Sequence, residues 1–70
     1  MENTQEYIGQ NAGRVWEYLY NSGSVTTIKL RAELGLSNTA LCLALGWLSR
    51  EDKIELAEEA HSFRISLKGK

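Results

Sequence analysis

The sequence predicts a small α+β fold, mainly α: three helices, a short strand after the first, and a C-terminal β-hairpin. Three observations predict it. Apolar residues recur at helical spacing before residue 50 and at alternate positions after it. Gly and Ser punctuate the joints at 21–24 (NSGS) and 35–37 (GLS), and the chain has no Pro. At 70 residues with 43% hydrophobic content, the chain is expected to form one domain, residues 1–70. A chain this short buries only about 60% of the surface its unfolded form exposes. Its large apolar residues are therefore needed in one core, and a deep catalytic pocket is not expected.

In the first helix, about Thr4 to Tyr20, Asn3 stands three residues before Glu6, a spacing at which cap side chain and carboxylate satisfy each other's free amides. Ile8, Ala12, Val15, Trp16 and Leu19 fall within about 100° of one another on a helical projection and form its buried face. Gly9 and Gly13 flank that face, each at a cost of about 1 kcal/mol relative to Ala, so something bulky is expected against them. Tyr7, Tyr18 and Tyr20 flank it too, as core-edge rings or a first-helix dimer contact.

Val25 suits one short strand, and Thr27 to Leu34 reads as a two-turn helix with Leu30 and Leu34 on one side. Ile28 fits neither face and is expected either to support the short strand or to be exposed. Gly35 supplies a left-handed stop, and Ser37 is placed to cap a third helix from Asn38 to about Arg50. Leu41, Ala44, Leu45 and Leu48 make the inner face of that helix; Thr39, Leu43, Gly46 and Arg50 point away, and Cys42, Ala40 and Trp47 lie on the boundaries. The tail then alternates: Ile54 and Leu56, then Phe63, Ile65 and Leu67, are separated by polar residues, with Glu58 to Ser62 as the joining loop. The expected core is Val15, Trp16, Leu19, Leu30, Leu34, Leu41, Leu45, Leu48, Ile54, Phe63 and Ile65.

Composition narrows function. One cysteine and one histidine exclude a disulfide framework and a Cys/His metal site; no metal or cofactor is expected. No apolar run reaches the ~18 residues of a membrane span, and the polar start MENTQEY lacks the regions of a signal peptide. A cytoplasmic protein is expected. His61 has no nucleophile beside it and reads as a solvated loop residue; Cys42 has no neighbouring base and reads as a small, half-buried filler. No enzyme is expected.

The net charge of −1 is uneven. Residues 24–50 carry Lys29, Arg31 and Arg50 against Glu33, while Glu2, Glu6 and Glu17 outweigh Arg14 before them and the hairpin loop carries Glu58 and Glu59.

A helix-turn-helix at the second and third helices, followed by a hairpin, resembles the winged helix-turn-helix family. LRAELGLS and LCLALGWLSREDKIEL look like its two central helices leading into the wing. IGQNAGRVWEYL with ALGWLSREDKIEL resembles a group of short bacterial winged-helix domains of uncharacterised function. The resemblance covers roughly Tyr7 to Leu67. It implies a transcription-related module, acting as a dimer, in which the third helix enters the major groove of duplex DNA with Ser37, Asn38, Thr39, Cys42 and Leu43 near its start. Lys29, Arg31, Arg50, Lys53 and Arg64 would then form a phosphate-contacting rim; alternatively they are scattered surface charges. The acidic wing departs from the pattern, because carboxylates oppose the counterion release that drives non-specific binding.

The other reading is a protein-interaction or dimerisation surface at Ala40, Leu43, Gly46 and Trp47, with a second copy or another protein as partner. Trp47 is expected to close the core across Gly9 and Gly13, and Leu43 to belong to a contact surface.

Overall fold

The structure is a computed structural model and describes residues 4–69. Its elements are α1 (Thr4–Ser22), β1 (Val25–Thr26), α2 (Thr27–Leu34), α3 (Asn38–Arg50), β2 (Ile54–Glu59) and β3 (Ser62–Leu67). The order is the one expected. The proposed cap Asn3 lies outside the described residues, and α1 runs two residues further than expected, to Ser22, and is followed by a left-handed Gly23.

The helix ends follow from local chemistry. Thr26 caps α2, its hydroxyl accepting the Lys29 amide at 3.2 Å, and Ser37 caps α3, accepting the Ala40 amide at 3.1 Å. At the end of α2 the left-handed Gly35 lets the Leu36 amide reach back to the Arg31 carbonyl. At the end of α3 the same device is built on Asp52, a non-glycine residue at φ 61°. Its amide donates to Ser49 and the Lys53 amide to Leu48. The Lys68 ammonium pairs with the Asp52 carboxylate and ties this turn to the end of β3.

The three strands form one antiparallel sheet in the order β1-β3-β2, so β2 is an outer strand. Val25 lies opposite Ile65, and the hairpin register runs from Ile54 opposite Leu67 to Glu59 opposite Ser62. Period two then sorts the faces: Ile54, Leu56 and Glu58 share one with Leu67, Ile65 and Phe63, while Glu55, Ala57 and Glu59 share the other with Ser66, Arg64 and Ser62.

The core is Ala12, Val15, Leu19, Val25, Leu30, Leu41, Ala44, Leu45, Leu48, Ile54 and Ile65. Leu34, Tyr18, Trp47 and Leu67 close its edge. Of the expected members, Leu34 is only at this edge and two lie outside the core altogether. Trp16 is 39% exposed, because it stands at the margin of the α1 face and stacks on Tyr20, rings 5.2 Å apart, instead of turning inward. Phe63 is 45% exposed. It is on the core side of the sheet, as its alternation requires, but next to the tip of the hairpin, where its neighbours are exposed.

The joining loop is also shorter than expected. Glu58 and Glu59 belong to β2, and only Ala60 and His61 form the turn. Pairing with the strongly alternating β3 extends β2 past its last apolar residue.

Candidate functional site

The site is built on α3. Its buried arc spans about 160° at 100° per residue, running from Trp47 through Ala40, Ala44 and Leu48 to Leu41 and Leu45. It is this wide because α3 packs against α1 on one side and faces α2 and the hairpin on the other. Ala40 is 5% exposed, a core residue held against the rest of the chain. It is therefore unable to serve as the interface residue expected of it. Trp47 is half-buried, with Cζ2 3.9 Å from where a Cβ on Gly9 would stand; a Cβ on Gly13 would meet nothing within 4 Å. The expected contact thus holds for Gly9 and not for Gly13.

The rest of α3 divides into two stripes. Thr39, Leu43 and Arg50 face solvent. Asn38, Cys42, Gly46 and Ser49 line one wall of a groove of about 570 Å³. Cys42 is exposed there and is not the half-buried filler expected. Leu41 and Leu45 form the floor, Thr27, Ile28 and Arg31 of α2 close one end, and Leu56 and Phe63 of the hairpin form the far wall. Three of these residues are large, apolar and solvent-facing: Ile28 at 60%, Leu56 at 45% and Phe63. A run of exposed apolar side chains around one concavity is the surface feature that most needs explanation in a small domain.

The backbone fixes this geometry. The Thr27 hydroxyl accepts the Phe63 amide at 3.4 Å and pins β3 to the start of α2. The Ser37 cap sets where α3 begins.

The cations expected to form a rim separate into two groups. Arg64 donates to the Glu59 carboxylate at 2.9 Å and to the Ser24 hydroxyl at 3.3 Å, on the sheet face turned away from the groove. Lys53 pairs with Glu51 at 3.5 Å. Lys29, Arg31 and Arg50 are exposed and make no ion pair among the described residues. Arg14 is occupied with the Leu34 carbonyl at 2.8 Å. The free positive charge therefore sits on α2 and at the end of α3, and the hairpin contributes none beside them.

Of the residues expected at a DNA surface, the groove gathers Arg31, Asn38 and Cys42, leaves Thr39, Arg50 and Lys29 outside it, and places Arg64 and Lys53 elsewhere. Sequence reasoning missed Leu56 and Phe63 as surface residues. Ile28, which fits no helix face, was expected either to support the short strand or to be exposed, and it is exposed. Leu56 and Phe63 alternate as core residues do, and only the reach of the hairpin makes them a wall.

No helix among the described residues is long and apolar enough to cross a membrane, and no group of three His, Cys, Asp or Glu there is arranged to hold a metal ion.

The chain is similar to an uncharacterised protein, MJ1608, of Methanocaldococcus jannaschii, 33% identical over 97% of this chain and all of that one. The solution NMR structure of protein BT2368 from Bacteroides thetaiotaomicron superposes with a TM-score of 0.83 at 30% identity, covering 96% of this chain and 82% of that one. The model of the winged helix-turn-helix domain family DUF2582 matches residues 1–67. With three helices, a β1-β3-β2 sheet and a close match along nearly its whole length, the chain belongs to that family.

Proposed function

We propose that this chain is a non-enzymatic binding module that uses the groove between α3 and the hairpin to hold an apolar segment of a partner protein. The observation that carries this reading is the groove wall. Ile28, Leu56 and Phe63 stand exposed around it, on the flank of α3 where a winged helix would need cations to meet phosphates. Arg31 at its end favours a segment with an acidic residue beside its apolar anchors. A groove of this size takes two or three large side chains, and aromatic and aliphatic residues in desolvated pockets carry most of the energy of such contacts.

Duplex DNA is the second reading, supported by one specific feature. Asn38 and Thr39 stand exposed at the start of α3, where side chains can reach base edges, and Lys29, Arg31 and Arg50 pair with no carboxylate among the described residues. The paired state of Arg64 and Lys53 counts against it, because a neutralised cation releases no counterion from DNA.

One pair of measurements separates them. Peptides selected from a display library against the chain are expected to share apolar anchors with an acidic flank, and to lose at least tenfold in affinity on Phe63→Glu, a substitution at an exposed position. Random duplex DNA at two salt concentrations is expected to bind without a steep salt dependence. A salt-steep DNA affinity abolished by Lys29→Ala, Arg31→Ala and Arg50→Ala together would overturn the protein reading.

A further inference from the structure

The groove leaves a second solvent-facing feature unexplained, on the far side of α3. Besides its core face, α1 carries Gly9, Gly13, Trp16 and Tyr20, spaced four, three and four, which aligns them along one side of the helix. Trp16 and Tyr20 stack on each other with an interplanar angle of 22°, and both rings are exposed. Beside them opens a cleft of about 390 Å³, floored by Gly9, Ala12 and Gly13, walled by Trp16 and Trp47, and edged by Glu51 and Lys53. The chain's own packing requires neither glycine. A Cβ at position 13 would stand in open space, and one at position 9 would make an ordinary contact with Trp47. Two helix-weakening residues thus occupy places where alanine fits.

We propose that the cleft is filled by a second copy of this chain, its α1 laid antiparallel across the stripe. A two-fold interface is reciprocal: if residue i meets residue j, then j meets i. A register that sets Gly13 opposite Trp16 also sets Gly9 opposite Tyr20, because both pairs are centred between Arg14 and Val15. Every ring in the stripe then rests on a glycine of the other copy, twice over by symmetry, and the partner's Trp16 enters the cleft beside Trp47. A parallel pairing would set ring against ring and glycine against glycine, leaving clashes and holes. The spacing is self-complementary in the antiparallel sense alone. Trp and Tyr, large and with few rotatable bonds, are the residue types that anchor such contacts. Trp47 and the groove-lining stripe of Asn38, Cys42 and Gly46 lie on different sides of α3, so pairing leaves both grooves open. This inference does not depend on what the groove binds.

Sedimentation equilibrium of the full chain tests it, with far-UV circular dichroism to confirm folding. The wild type is expected to be a dimer. Gly13→Trp sets ring against ring and Trp16→Gly sets hole against hole, and each is expected to weaken the dimer at least tenfold. The double variant exchanges ring and hole within each copy and is expected to recover affinity to within tenfold of wild type. A wild type that stays monomeric at millimolar concentration, as it would if this face served a different protein, overturns the proposal. So does a folded double variant that stays monomeric. If the double variant does not fold, Gly13→Glu decides: its side chain has open space in the monomer, so a folded monomer supports the pairing and an undiminished dimer overturns it.

Discussion

Asn11 is 5% exposed on the inner side of α1, and its Nδ2 has no hydrogen-bond partner among the described residues. A buried amide donor left unpaired costs about 1–3 kcal/mol, a large part of what a domain this small has to spare. Asn11→Leu, close in size and without the polar group, is expected to raise stability by about 1–2 kcal/mol, seen as a rise of several degrees in Tm. An unchanged or lower Tm would show that a water satisfies the amide. The sequence gives little hint of this residue. Asn11 lies about 40° beyond the arc of Ile8, Val15 and Leu19 at 100° per residue, and polar residues are ordinarily read as marking the outside of a helix. Cys42 fails in the opposite way: an apolar side chain was placed half inside, and α3 turns it into the groove. Single residues are poorly legible because side-chain type and position on a helix can disagree, and packing decides between them.

At the scale of elements the sequence is far more explicit. α2 and α3 end as their cap residues dictate, and the order of all six elements follows from a change of period and from Gly and Ser at the joints. Gly35, at φ 64°, holds the turn between α2 and α3. Gly35→Ala is expected to cost about 1–2 kcal/mol, the penalty for a side chain in a left-handed conformation, measured by urea unfolding. Loss of a few tenths or less would mean that the turn can relax into another conformation. The equivalent position after α3 was not legible, because Asp52 tolerates that conformation without the signature of a glycine. The hairpin was legible in part. Its start and its apolar alternation were plain, but Ala57, Glu58 and Glu59 carry no strand pattern of their own and are drawn into β2 by pairing with β3.

For the whole molecule, charge placement matters more than the net value. The Asp52 hydrogen bond and charge, aided by Glu55, raise the Lys68 pKa above its ordinary 10.5. Stability from this pair is fully present below that value and is lost as pH rises through the raised one. The group is fully exposed, so the effect is small and screened by salt. A shallow fall in Tm above about pH 10.5, weaker in high salt and absent in Asp52→Asn, is the expected profile. A fall of equal size in Asp52→Asn would assign it to other groups. The candidate site is also a property of the whole chain: its cations lie on the helices and its apolar wall on the hairpin, and only the assembled fold shows that the two face one another.

The acidic hairpin has a consequence of another kind. β2 is an outer strand, and among the described residues no strand pairs with its far edge. An open edge of backbone amides and carbonyls is a template on which other chains can stack into aggregates. Two copies of β2 laid antiparallel about their centre would bring Glu55 against Glu58, twice, with Glu59 close by. The carboxylates that count against a nucleic-acid surface thus act as a guard on the strand, opposing the stacking of a second copy on the edge beside exposed Leu56.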